Sequence, residues 1–367
     1  MPIPLDEYPV HQTPLPMSRV ATSDRNFYDR CYLNLHGPDG EVFLVTGLGV
    51  YPNLGVIDAY ATARRGDRQW TVQFSGALPE RGLEQQVGGY RIDVVEPLRE
   101  LSLRCAPPDG EIEFDLRWTA AFPAVQEEPH LLLSGGRPIL DASRFSQLGR
   151  WSGRLRVAGR EFAVTPDQWG GVRDRSWGIR PSGEPEPPGR AASETPPGFW
   201  WLYAPLQFER YAVIVILQEN PDGYRTVNDA KRVWPDGRVE QLGWPRAEIS
   251  YASGTRHPRS ARLHLTDRQG HPLTLELETL TSVPLHVGAG YGADPDWSHG
   301  RWMGPEWSRS AVYDLTDPAV AGRVPFGVID HLARVRIGDE TGWGLFEHAS
   351  MGRHDPTGFA DWSSVAP

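Results

Sequence analysis

Leu101 to Trp118 reads LSLRCAPPDGEIEFDLRW. Leu101, Leu103 and Cys105 alternate with other residues, and beyond the turn Ile112, Phe114 and Leu116 do the same. A period of two places each set on one face of an extended strand. Between them stands Pro108-Asp109-Gly110. Proline presets φ for a turn, aspartate bonds its own backbone, and glycine accepts positive φ. The stretch is therefore an antiparallel hairpin with one dry face and one wet face. Pro-Asp-Gly returns at 38–40, 221–223 and 235–237, each time between strand-like runs. The copy in LNLHGPDGEVFLV alternates on both sides, and another joins YAVIVILQEN to YRTVNDAKRVW.

The same grammar extends through VIDAYATARR, RQWTVQFSG, YRIDVVEP, GRLRVAGREFAVT, ARLHLTD, PLTLELETL and ARVRIGD. With 39 Gly and 34 Pro spread through 367 residues, long helices are excluded. One short helical turn is expected at Asp141–Gln147. The fold class is all-β, with strands spaced as in meander barrels or sandwiches. At roughly 100–200 residues per domain, the length implies two domains. Pro181 to Gly198, PSGEPEPPGRAASETPPG, has no strand pattern and reads as a linker or long surface loop. It separates an irregular arm (1–19) and a first β-domain (20–180) from a second β-domain (199–367). Each half carries two Pro-Asp-Gly turns, which hints at two copies of one architecture.

Composition narrows the partners. The net charge of −10 argues against nucleic acid, which rewards basic patches. No apolar run approaches the ~20 residues of a membrane helix. The N-terminus lacks a basic segment followed by an apolar one, so no secretory leader is read there. Cys31 and Cys105 are expected to be buried thiols rather than a bridge, which fits a cytoplasmic location. Fourteen Trp and twelve Tyr supply large rigid surfaces that can fill a core or line a cavity.

Three stretches could carry chemistry. In QWGGVRDRSWGIRP (168–181), an extended backbone puts Arg173, Arg175 and Trp177 on one face and Asp174 and Ser176 on the other. Asp174 is either a structural ion-pair partner or an acid in an aromatic-walled pocket. In TGLGVYPNLGVIDAY (46–60), two strands flank a Pro-Asn-Leu-Gly turn. Asp58 interrupts an apolar run there, facing either solvent or a cavity. In GWGLFEHASMGRHDPTG (342–358), Glu347 follows Trp343 and Phe346. His348 and His354 match no common metal-ligand spacing. No metal site and no cofactor are expected, and neither a Gly-x-Ser-x-Gly elbow nor a phosphate loop is present.

The Trp-Gly that ends the charged knot, the Tyr51-Pro52-Asn53-x-Gly55 turn and the late Gly342-x-Gly344-Leu345-x-Glu347 segment together resemble the carotenoid 1,2-hydratase and AttH-like superfamily. The resemblance spans roughly residues 20–360. It implies two lipocalin-like antiparallel β-barrels packed together and a hydrophobic ligand. The hydratase pattern Asp-His-x-Trp-Gly becomes Asp174-Arg175-Ser176-Trp177-Gly178 here, with arginine in the histidine position. Tyr203 matches a following tyrosine, but Pro205 stands where that pattern has an acid. Arginine stays protonated and cannot act as the acid.

The expected function is a cofactor-independent enzyme, a hydratase-type lyase or an isomerase or cyclase. Its substrate would be an isoprenoid, terpenoid or polyketide-like molecule. Asp174, Asp58, Tyr203 and Glu347 are the candidate catalytic residues, and Trp177, Trp200, Trp201, Arg175 and Tyr60 the candidate ligand-binding ones. The alternative is a non-catalytic carrier or sensor of a lipid-like ligand, with the Asp–Arg knot cementing the two domains.

Overall fold

The computed structural model describes residues 2–9, 13–16, 19–37, 39–80, 83–134, 137–182, 198–292 and 294–367. It is built from two twisted antiparallel sheets, each curled into a nearly closed barrel. The first runs in the order Glu306–Asp314, Arg68–Ala77, Val56–Arg65, Phe43–Tyr51, Phe27–His36, Gly170–Ile179, Arg137–Val157, Ile112–Ala120, Glu100–Cys105, Tyr90–Glu96 and Gln85–Val87. The second runs Val239–Gln241, Arg225–Val233, Ala212–Glu219, Phe199–Gln207, Glu340–Met351, Ile329–Ile337, Pro272–Pro284, Pro258–Thr266 and Gly243–Tyr251. The strand Glu306–Asp314 belongs to the second half of the sequence but pairs with Arg68–Ala77 of the first sheet. Within the expected linker, residues 183–197 lie outside the described residues.

The hairpins follow their turn chemistry. Leu103 opposes Leu116 and Cys105 opposes Phe114, all buried. Gly40, Gly223 and Gly237 take positive φ, as the Pro-Asp-Gly turns require. The aspartates of two turns bond their own backbone, Asp39 to the Glu41 N–H and Asp236 to the Arg238 N–H. In the third turn Asn220 does this work instead, accepting from the Asp222 and Tyr224 N–H groups. Cys31 and Cys105 are both buried free thiols.

Two expectations fail for one physical reason. Asp141–Gln147 is not a helical turn; it lies inside the 21-residue strand Arg137–Val157. There both flanks are occupied, by Gly170–Ile179 on one side and by the short strands His130–Ser134 and Val125–Gln126 on the other, and tertiary pairing overrides local propensity. The hairpin Phe27–His36/Phe43–Tyr51 also lacks a wet face, because both strands are buried at every position. One face packs inside the first barrel and the other against the second barrel.

Each barrel is filled. The first is packed by residues such as Leu33, Leu48, Leu103, Trp118 and Trp151, the second by Leu202, Val215, Leu263 and Phe346. A third apolar cluster joins the barrels through their outer faces, with Tyr32, Val45 and Val172 against Tyr203, Ile216 and Leu332. An apolar cavity lies in the space between the barrels.

Candidate active site between the barrels

Sheet register assembles the site. On the first barrel, Tyr60, Gly47, Tyr32, Asp174 and Ser146 stand opposite one another on five successive strands. Two residues along, Asp58, Gly49, Arg30, Ser176 and Arg144 do the same. Opposed residues share a face of the sheet, and here that face looks toward the second barrel. On the second barrel, Tyr203, Glu347 and Asp330 form the matching row. The rows meet where the Tyr32 hydroxyl donates to Asp330 Oδ2 at 2.5 Å. Gly47 is glycine for want of room: a Cβ would strike the Cys31 carbonyl oxygen and come within 3.0 Å of the Tyr60 ring.

Beside these rows a cavity of about 440 Å³ opens between the barrels. Its walls include Leu132, Ile139, Leu140, Phe199, Trp201, Val328 and Met351. It runs into a narrower recess of about 50 Å³, lined by Arg30, Tyr32, Arg144, Asp174, Arg180 and Glu347 among others. Arg144, Ser176, Arg180, Tyr291 and Glu347 line both spaces, so the recess is the polar floor of the cavity. An apolar cavity of this size with a few convergent polar groups is the usual form of a small-molecule site.

Asp174 on this floor and two acids near it, Asp330 and Glu127, are held in opposite states. Burial pushes the Asp174 carboxyl up to about 7, and the nearby Glu127 and Glu347 carboxylates reinforce the shift against the opposing Arg144 and Arg30. Burial, followed by Glu347, holds Asp330 well above the carboxylate range. For Glu127 burial again favours the neutral form, but Arg144, His130 and Ser146 outweigh it and bring the group down to about 2. Glu127 Oε2 accepts from Arg144 Nε at 2.5 Å and lies 3.0 Å from His130 Nε2. The Arg144 guanidinium sits over the rings of Tyr203 at 4.5 Å and Trp201 at 5.3 Å. Trp201 Nε1 donates to Glu347 Oε1. Paired carboxyls with separated pKa values are the pattern from which acid and base roles are assigned.

A family model described as "Family of unknown function (DUF8625)" matches residues 3–360. The chain belongs to that family. No match is found among curated protein sequences. In fold, this DUF8625 chain is similar to a protein assigned as AttH from Nitrosomonas europaea, at TM-score 0.53 and 13% identity over 88% of this chain and 92% of that one. It is similar to kievitone hydratase from Nectria haematococca at TM-score 0.54 and 14% identity, covering 88% of each chain. It is also similar to CghA in its structure with Sch210972, at TM-score 0.51 and 12% identity, covering 89% of each. The likeness drawn from the short motifs thus holds at the level of the double-barrel fold.

Of the residues singled out from the sequence, Asp174, Glu347 and Trp201 line the cavity or its floor. Tyr203 lies beneath Arg144, one strand from Glu347. Tyr60 stands behind the floor, its hydroxyl 3.2 Å from that of Tyr291. The others lie elsewhere. Asp58 is fully buried and accepts from the Gly300 N–H at 2.6 Å and from the Tyr51 hydroxyl, tying a loop of the second half to the first barrel. Arg175 and Trp177 occupy the opposite, barrel-interior side of their strand, where Arg175 pairs with Asp29 and Trp177 packs near Phe145. Trp200 points into the second barrel and stacks on His354 at 5.3 Å.

Sequence reading missed Arg30, Tyr32, Arg144, Arg180, Tyr291 and Asp330. Asp330 carries the same mark as Asp58, an acid inside an apolar strand (Val328-Ile329-Asp330-His331-Leu332), and could have been found by it. Tyr28, Arg30, Tyr32 and Asn34 alternate with Cys31, Leu33 and Leu35 in a way that looks like a solvent face. Their burial depends on a second barrel that local pattern does not reveal.

Proposed function

We propose that the chain is an enzyme that binds a hydrophobic small molecule, isoprenoid, terpenoid or polyketide-like, between its two barrels. The reaction is an acid–base-assisted hydration, isomerisation or cyclisation. One observation carries this reading: Asp174, with its carboxyl near 7, lies on the polar floor of an apolar cavity. A group with a pKa near the working pH can both give and take a proton, which is worth roughly 10²–10⁴ in rate. Protonated Asp174 donates to the substrate. The Phe199 ring on the cavity wall stabilises developing positive charge, at roughly 0.5–2 kcal/mol per contact. Glu347, on the same floor, accepts the proton that leaves or orients a water molecule. Tyr203 and Arg144 hold Trp201 and Glu127 in place around these acids. Confinement of a flexible chain in one pose lowers the barrier further. Hydration, the reaction named in kievitone hydratase, and the small molecule Sch210972 held by CghA are compatible with this arrangement.

The test is a mass-spectrometric screen of hydrophobic polyphenols, terpenoids and linear polyketides with wild-type protein and Asp174→Asn. The expected result is a product of unchanged mass, or heavier by one water, formed by wild type and lost in the variant, with binding retained. A wild-type protein that binds such compounds tightly and converts none of them is a carrier, and that result overturns the enzymatic reading.

A further inference from the structure

In the first barrel most buried or half-buried arginines have carboxylate partners, whereas Arg256 of the second barrel donates to four backbone carbonyls instead. Arg173 pairs with Glu7, Arg175 with Asp29 and Arg144 with Glu127. Arg30 and Arg180 break the rule. Arg30 is 8% exposed, and Arg180 follows directly on the strand that carries Asp174. Among the described residues neither forms an ion pair with a carboxylate. Their guanidiniums instead share the ring of Tyr291, at 4.9 Å and 5.5 Å from its centroid. Arg30 also meets the Tyr28 ring and the Tyr51 hydroxyl. Both line the polar recess of the cavity. Burial, and then the like charge of Arg30, pushes Arg180 below its ordinary value. A buried and a half-buried cation at one ring cost free energy unless a negative charge joins them. Neither floor acid forms an ion pair with them: the Asp174 carboxyl, near 7, is only half-ionised at neutral pH, and Glu347 accepts from the Trp201 N–H and acts on Arg180 only through space.

We propose that the ligand is an amphipathic organic anion, with a carboxylate held by Arg30 and Arg180 and an apolar body along Leu132, Leu140, Phe199 and Met351. This rests on the reading of the inter-barrel cavity as the ligand site. Guanidinium is suited to the task, because its planar fork matches the two oxygens of a carboxylate. The head group is then fixed beside Asp174, and the reacting part of the body lies a set number of bonds away. The arginine pair thereby selects acids over neutral lipids of equal length.

The experiment compares dodecanoate with dodecanol, each titrated into the full-length protein and followed by tryptophan fluorescence, since Trp201 lines the wall. Charge-assisted hydrogen bonds in a buried site predict a preference for dodecanoate of at least about tenfold. Arg180→Met should reduce that preference severalfold, and Arg30→Lys, which keeps the charge but loses the fork, should reduce it as well. A melting curve on each variant confirms that it is folded. Equal affinity for the two probes overturns the proposal, as does a preference that survives both substitutions in folded protein. Failure of both probes to bind overturns the cavity reading itself, and the anion proposal with it.

Discussion

The two faces of the strand Gly170–Ile179 treat charge in opposite ways. On the barrel-interior face, Arg173 meets Glu7 and Gln147, and Arg175 meets Asp29, Gln85 and the Glu7 carbonyl. Every strong donor there has a matched acceptor, and the N-terminal turn Pro4–Glu7 is recruited to complete the set. On the other face, one residue away in either direction, Asp174 is buried against a cavity with its pKa raised rather than lowered. The lesson is that burial alone does not mark a functional charge. A buried charge with a full complement of partners is a fastening, and one left incomplete beside an open space is available to a ligand.

Breaking the fastened face should have the largest effect. Arg173→Met leaves the Glu7 carboxylate buried without its guanidinium, and loss of one partner of a buried pair costs about 3–5 kcal/mol. Denaturant unfolding should show that loss. If stability falls by less than about 1 kcal/mol, the interior pair is not a fastening and the contrast between the two faces weakens.

Next comes the open face. Asp174→Asn should lower turnover of any substrate found by about a hundredfold or more, while leaving the fold intact. The same variant should change the pH dependence of stability. Because the Asp174 pKa is raised in the folded state, the folded protein holds a proton that the unfolded chain releases. Its stabilising contribution is complete below about pH 4 and is lost as the pH rises through 7. Wild type should therefore lose stability relative to Asp174→Asn between pH 4 and 8, seen as diverging melting temperatures. Parallel curves would remove Asp174 from the titrating groups. Glu127 moves in the opposite sense: with its pKa down at about 2, it stabilises above about pH 4.5, and that contribution disappears as the pH falls toward 2.

The smallest effect is kinetic. Burial raises the Cys31 thiol to about 11 and pushes Cys105 higher still. Neither should react with a thiol reagent at pH 8 until the protein unfolds. Rapid labelling of either cysteine in native conditions would mean that the first barrel opens far more readily than its packing implies.

The architecture was legible because it is written locally. Leu101–Trp118 announces its hairpin through period two and a Pro-Asp-Gly turn, and four such turns reach both halves of the chain. The number of wet faces was not legible. Tyr28, Arg30 and Tyr32 have the polar alternation of an exposed surface, and only the docking of the second barrel buries them. For the site, short motifs and aromatic neighbours drew attention to Asp174, Tyr203, Trp201 and Glu347. They also drew in Arg175 and Trp177, whose strand turns them the other way. Tyr32 and Asp330 are separated by 298 positions in sequence and joined by one hydrogen bond, so no local pattern could pair them.

The central claim, a carboxylic acid kept protonatable beside the inter-barrel cavity, is tested most directly by titrating Asp174 itself. Infrared difference spectra of wild type minus Asp174→Asn, recorded from pH 4 to 9, isolate its carboxyl stretch. The account predicts a protonated carboxyl that ionises with a midpoint near 7. A carboxylate already ionised at pH 5 would contradict it.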